Sequence, residues 1–402
     1  MENKKILFIT SSYPFGKGES FIIPEIEEFS KFCKLAVVPT HPRGEKRSDL
    51  LQNHNIEHFN LSLLKLNYIQ KTILFSIFNP KLLVKLIEHC KSDSLSRSLR
   101  NLILIPKSIY IADMVKSFDI QFIYAHWLSA PTQLALLVHL LTSVEYGITG
   151  HRWDVIDRNN FDLKFRYAKF IRLISKKSIS LLPNNIQKKY MEKIHVIYMG
   201  IDIKKLHNAS ESLLNRDKEI KILCIANLIP VKGHKYLIDA ISGLHKKGYK
   251  VYLDLIGNGE LESEIKNQIQ LLKLNKYIKL LGILPHSKVN EKLANGDYDI
   301  YCQPSLDLGN GLHEGIPVSL MEAMSYGIPC ISTNTGSIPE LIDNGKTGLL
   351  VRDKDPIALT EAIERFMNNP ELIKQVRENA FYKVFKIFNK NANSQKILRY
   401  II

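Results

Sequence analysis

Residues 313–331 read HEGIPVSLMEAMSYGIPCI and carry two carboxylates, Glu314 and Glu322, eight positions apart with Pro317 between them. Pro317 suits a first helical position and Gly327 followed by Pro329 suits an ending, so the pattern predicts a helix over about 317–326. Glu314 then lies in the loop before the helix, and Glu322 sits about 7.5 Å beyond Pro317 along its axis, given the rise per residue of an α-helix. The glycine-containing loop 309–312 leads into the positive end of that helix, where free backbone N–H groups favour a phosphate. Each carboxylate can accept two hydroxyl donors. A long ligand with phosphates over the helix start, one hydroxyl-bearing end on Glu314 and another on Glu322, fits this layout. The plain alternative is one solvated loop charge and one helix surface charge.

The rest of the chain supplies the scaffold for these residues. Apolar β-rich runs alternate with longer amphipathic stretches. The first half has KKILFIT, CKLAVVP, QFIYAHW, VEYGITG, SISLLPN and IHVIYMG; the second begins again with EIKILCIAN, then VYLDLIG, YIKLLG, YDIYCQP, IPCISTN and TGLLV. Repeated strand, helix, strand units imply parallel sheets covered by helices on both faces. A chain of 402 residues is long for one core, and two domains are expected. The polar stretch 204–218 reads as a linker between domains 1–203 and 219–380, with a basic helical tail, 381–402, that packs back on the first domain. The expected class is α/β, two doubly wound parallel-sheet (Rossmann-like) domains facing across a cleft. Ligands of such sheets bind outside the carboxyl ends of the strands.

Composition narrows the setting. Five cysteines, Cys33, Cys90, Cys224, Cys302 and Cys330, form no C-x-x-C pair or ligand spacing and read as reduced thiols of a cytoplasmic protein. The apolar run after MENKK is too short for a signal peptide, and no stretch reaches the roughly 18 apolar residues of a membrane span. A formal charge of +15 and a pI near 9.3 imply anionic partners: nucleic acid, a membrane surface or phosphate-rich small molecules. No nucleic-acid-binding motif is visible, which disfavours the first. Residues 61–110 interleave Lys65, Lys71, Lys81, Lys85, Lys91, Arg97, Arg100 and Lys107 with TILFSIF and KLLVKLIEHC. Such basic amphipathic helices either lie on anionic lipid or cover a sheet with their lysines in water.

Residues 298–351, with E-x7-E as EGIPVSLME, resemble the retaining GT-B glycosyltransferases of family 4 (glycosyltransferase group 1). The resemblance extends over nearly the whole chain: CIANLIPVKGHKYLIDA, LIGNGE and GSIPELIDNGKTGLLV match its donor domain, and SSYPFGKGES, YAHW, TGHRWD and IYMGID fall where its first domain has its own versions. The resemblance implies that Glu322 holds the ribose hydroxyls of a nucleotide sugar, Glu314 the donor sugar, and Lys232 the diphosphate, with Gly311, Leu312, His313, Gly315 and Ile316 lining the donor. Asn227 stands where the family commonly has arginine, so diphosphate binding leans on Lys232 and the backbone. Gly16 and Gly18 belong to a loop brought close to the donor phosphate, although no clean G-x-G-x-x-G is present. His151 matches a histidine facing the donor sugar, for which a packed strand-end histidine is the alternative. Glu19 and Glu25 are weaker candidates for acceptor contact, Arg152 and Asp154 are weaker still, and His126 reads as structural support.

As to activity, the resemblance implies a retaining, metal-independent hexosyltransferase. Its donor is a UDP-sugar, with a GDP-sugar the less favoured choice. Its acceptor is a saccharide or a lipid-pyrophosphate-linked glycan, as in capsule or O-antigen synthesis, at the inner face of the cytoplasmic membrane. No cofactor is expected. Asp297-Tyr298-Asp299 spells D-x-D, which elsewhere holds a divalent metal, but it enters the strand IYCQP and Asp299 reads as a strand-entry residue. A sugar-nucleotide epimerase or a phosphorylase would share the fold. A non-catalytic glycosyltransferase-like nucleotide-binding subunit is the binding-module alternative, with Asn227 the feature that favours it.

Overall fold

The computed structural model describes residues 4–16, 18–46, 55–203 and 219–402, so the expected linker, 204–218, lies outside the described residues. The chain divides into two compact units, one of residues 1–200 with 390–402 and the other of residues 201–389.

The first unit is built on seven parallel strands: β1 (Lys5–Thr10), β2 (Lys34–Pro39), β3 (Ile56–His58), β4 (Phe122–His126), β5 (Tyr146–Gly150), β6 (Phe170–Leu173) and β7 (Ile194–Val196). They lie in the order β3-β2-β1-β4-β5-β6-β7. The second unit has six, β8 (Glu219–Ile225), β9 (Lys250–Ile256), β10 (Ile278–Leu280), β11 (Ile300–Gln303), β12 (Cys330–Thr333) and β13 (Leu349–Val351), in the order β10-β9-β8-β11-β12-β13. Strands covered by helices on both faces must be apolar on both faces, and every residue of β4, β5, β11 and β12 is buried. Residues such as Leu7, Ile123, Ile148 and Leu134 form one core, and Ile222, Leu253, Ile300 and Ile363 form that of the second unit.

One strand expectation and the bounds of the C-terminal helix need correction. SISLLPN lies in the helix Lys176–Leu181 and the turn after it, the helix capped by Ser175, whose hydroxyl accepts from the Ser178 amide at 3.2 Å. The strand of that unit, β6, sits earlier, in KFIRLIS, where Arg172 interrupts the apolar residues of a four-residue strand. The C-terminal stretch is helical in two pieces. Residues 381–387 complete the helix Pro370–Ile387 of the second unit, whereas Lys390–Ile401 packs Ile397, Leu398 and Ile401 with Ile26 and Phe29 of the helix Ile23–Ser30. No described helix is long and apolar enough to cross a membrane.

The fully buried Lys107 shows how loop ends are secured. Its ammonium donates to the carbonyls of Pro39 (2.6 Å), Thr40 (3.0 Å) and Leu61 (2.6 Å), three acceptors that no strand ladder satisfies. Burial brings its pKa down to about 7. Lys107→Met should cost about 2–4 kcal/mol of unfolding free energy by stranding these carbonyls, read by urea denaturation; a loss under about 0.5 kcal/mol would show that the carbonyls find other partners.

Candidate active site

In both sheets the strand order reverses once, between β1 and β4 and between β8 and β11, and such switch points open a crevice at the carboxyl edge. In the second unit, Ser319 donates to the carbonyl of Ile225 at the end of β8 (3.0 Å) and lies 2.8 Å from the hydroxyl of Tyr301 on β11. These bonds pin the start of the helix Val318–Ser325 over the crevice, with Pro317 preceding it in extended backbone. At the other end the buried Arg377 donates to the carbonyl of Gly327 at 2.6 Å, a cation where the helix dipole is negative.

Lys232 closes the short 3-10 turn Pro230–Lys232 after β8. That turn docks on the loop after β11 through the Leu306 amide, which donates to the Val231 carbonyl at 2.8 Å. Gly233 makes the docking possible: at φ +68° a Cβ would stand 2.0 Å from the Pro304 carbonyl oxygen, a conformation and a contact that only glycine tolerates. The approach brings the ammonium of Lys232 into an ion pair with Glu314, the two side chains being 16% and 18% exposed. Glu314 is fixed from behind by the His313 ring, whose Nδ1 is 2.9 Å from the Glu314 carbonyl, and by Gly336, where a Cβ would meet that same oxygen at 1.9 Å. Next to Lys232, burial lowers the His234 ring to about pKa 4, with the lysine adding to the shift, so His234 is neutral near pH 7.

Glu322 faces the helix His286–Ala294, its Oε1 2.9 Å from His286 Nε2, and Asn290 lies 3.3 Å from the other ring nitrogen. His286 was not anticipated from the sequence; its only signal is a histidine at a helix start after the loop that follows β10. In the approach to the site helix, the amides of Leu312 and His313 donate to the carbonyls of Gly309 (2.8 Å) and Gly311 (3.0 Å). Of the residues expected to line a donor, these two amides are therefore spent inside the turn, and Gly315 and Ile316 follow it, half-buried. Asn227 is exposed at the end of β8. Asp299 does enter a strand: its carboxylate accepts from the Lys221 amide at 2.8 Å, joining β11 to β8.

In the first unit the two carboxylates expected at the acceptor are buried and bonded within the protein. Glu19 accepts from the amides of Ser11 (3.1 Å), Ser12 (2.6 Å) and Tyr13 (2.7 Å) and from the indole N–H of Trp127. It folds the loop after β1, in which the Gly16 amide bonds the Glu45 carbonyl at 3.0 Å. Glu25 bridges Arg172 Nη1 (2.5 Å) and His126 Nε2 (2.8 Å). Burial alone would raise the Glu25 carboxyl, but Arg172 and His126 bring it down to about 2. His126 passes the chain on to His151, Nδ1 to Nε2 at 3.3 Å. Burial holds the His151 ring well below the usual histidine range, aided by His126 and Arg172, and its amide bonds Asp154 at 2.8 Å. His151 is thus a fixed neutral ring. Asp154, raised by burial to about 8, anchors that turn.

Two all-parallel sheets, each with one switch point, are the architecture of the GT-B fold. HepE of Anabaena, crystallised in complex with UDP, superposes over 99% of both chains with a TM-score of 0.71 at 18% identity. Residues 207–383, most of the second unit, match the family of glycosyl transferases group 1. The amylovoran biosynthesis glycosyltransferase AmsK of Erwinia amylovora is 34% identical over 200 residues, 50% of this chain and 48% of that protein. An uncharacterized glycosyltransferase of Methanocaldococcus jannaschii is 26% identical over 71% of this chain and 74% of its own. The chain spans about half the length of the polysaccharide-synthesis relatives it matches.

Glu25→Gln leaves Arg172 buried without its anion and should cost about 3–5 kcal/mol near neutral pH. Because the folded-state pKa is depressed, the wild-type advantage is present above about pH 4.5 and is lost as pH falls towards about 2. Denaturation across that range should show wild type and variant converging; a constant gap would mean that the carboxylate's charge is not what stabilises.

Proposed function

We propose that the chain transfers a hexose from a nucleotide sugar, UDP-linked, to a hydroxyl of a saccharide or lipid-pyrophosphate-linked acceptor in cell-surface polysaccharide synthesis. The observation that carries this reading is the array at the β8–β11 switch point, where Lys232 is paired with Glu314 and Glu322 stands on the helix they approach. The likeness to proteins named for amylovoran and colanic acid biosynthesis supports the process.

In this reading the diphosphate takes Lys232 from Glu314 and lies over the free N–H groups at the start of the site helix. Glu314, released, accepts from the hydroxyls of the sugar, and Glu322 from those of the ribose. The bond between the anomeric carbon and the diphosphate oxygen breaks as the acceptor oxygen bonds that carbon on the same face, and the acceptor proton passes to the departing phosphate. The anomeric configuration is kept with no protein nucleophile. The protein positions the groups and stabilises the charge on the leaving phosphate, which Lys232 does without a metal. His151, neutral and fixed, holds the turn after β5 and is not assigned as an acid.

Calorimetric titration with UDP and with GDP, in EDTA, tests the donor assignment. One nucleotide should bind, and Glu322→Ala should weaken it by about 1.5–3 kcal/mol through loss of charge-assisted bonds. Glu314→Ala should lower turnover of the nucleotide sugar at least about tenfold with a smaller change in UDP affinity. Equal nucleotide affinity in wild type and Glu322→Ala would overturn the ribose assignment.

A further inference from the structure

The helix Leu66–Phe78 is apolar on two opposite faces. Inward, Tyr68 is buried with its ring tilted against that of Tyr110, centroids 4.6 Å apart, and Phe75 packs against the core of the unit. Outward, Leu66, Ile69, Ile73 and Ile77 follow one another at intervals of three and four residues, and all are exposed, with Leu74 and Phe78 beside them. A surface helix ordinarily turns polar residues to water, and one that is apolar all round is ordinarily covered. The pattern continues in the next two helices: Val84 and Ile87 on Pro80–Glu88, then Leu95 and Leu99 on Leu95–Leu102, followed by Ile103, are exposed as well. Leu66, Ile77, Phe78 and Leu95 are each between 65% and 78% exposed.

Charge says what covers them. Residues 64–103 hold seven basic side chains, Lys65, Lys71, Lys81, Lys85, Lys91, Arg97 and Arg100, against two acidic ones, Glu88 and Asp93. Lys71 and Arg97 are tied to Asp113 and Asp93. Among the described residues Lys81, Lys85 and Lys91 have no ion-pair partner and are exposed. Lysines next to outward leucine, isoleucine and phenylalanine can run their stems along the apolar surface and keep their heads at a layer of negative charge. A bilayer interface supplies both halves of that demand: acyl chains for the side chains and anionic headgroups for the ammonium groups.

We propose that the outward faces of the helices Leu66–Phe78, Pro80–Glu88 and Leu95–Leu102 form a docking surface for an anionic lipid bilayer. The surface uses none of the residues assigned to the donor, so it stands or falls apart from the proposed transfer reaction. It gives the first unit a means of working on an acceptor that does not leave the membrane.

Flotation of the full chain with vesicles tests it. Wild type should float with phosphatidylcholine vesicles containing about 30% phosphatidylglycerol, and at least about fivefold less with phosphatidylcholine alone. Raising salt from about 50 to about 500 mM should release most of it. The triple variant Leu66→Ser/Ile77→Ser/Phe78→Ser should lose binding at least about tenfold, and Lys81→Glu/Lys85→Glu should lose the salt-sensitive part. Both alter exposed positions, so circular dichroism and the unfolding midpoint should stay at wild-type values, which separates lost docking from lost fold. Wild type that remains unbound to the anionic vesicles, or binding unchanged in both variants, would overturn the proposal. So would a wild-type dimer that the triple variant converts to monomer without any change in vesicle binding, since the face would then be covered by a second copy.

Discussion

An all-parallel sheet puts the carboxyl ends of its strands on one edge, and everything that this chain does with polar chemistry depends on that constraint. Where the strand order runs both ways from β1 and β4, or from β8 and β11, the loops after those strands leave in opposite directions and a gap opens between them. The loop after β1 is the one Glu19 folds, and His126 and His151 close β4 and follow β5. The loop after β8 carries Lys232, and the loop after β11 carries Glu314 towards the helix with Glu322. Residues 82 positions apart in sequence, Lys232 and Glu314, meet because their strands are neighbours.

Much of this was legible in the residues. The helix foreseen at 317–326 spans Val318–Ser325, with Pro317 and Tyr326 as its flanks, because proline and glycine announce their positions through backbone geometry that context rarely overrides. Strand, helix alternation announced two parallel sheets. Two short elements were not legible: β3 is three residues and β6 is four, too few to show a period. For β6, Arg172 inside the strand broke its apolar pattern, and the expected strand fell on what is a capped helix.

The candidate site divides along another line. Glu314, Glu322 and Lys232 could be singled out because the spacing of charge, glycine and helix start is local information. Glu19 and Glu25 could not be placed, because what decides their role is burial and partners far off in sequence: Glu25 meets Arg172 across 147 positions, and only the fold shows that both are inside. A carboxylate in an outer loop and one that holds a loop together look alike in a row of letters. The same holds for His286, which reaches Glu322 from another helix 36 positions earlier in sequence.

The pairing of these charges explains why a strongly basic chain can keep an anion site selective. Lys232 is the cation of the β8–β11 crevice, and Glu314 already occupies it. A lone phosphate must displace that carboxylate and leaves it half-buried with its charge uncompensated, a cost that simple ion pairing does not recover. A ligand that also brings hydroxyl groups gives the displaced carboxylate new donors. Glu322, with the His286 ring 2.9 Å from it, offers a second acceptor for hydroxyl groups at the other end of the site. In the proposed reading the site therefore opens at little cost to a molecule that presents phosphate and hydroxyls together, as a nucleotide sugar does and a free anion does not.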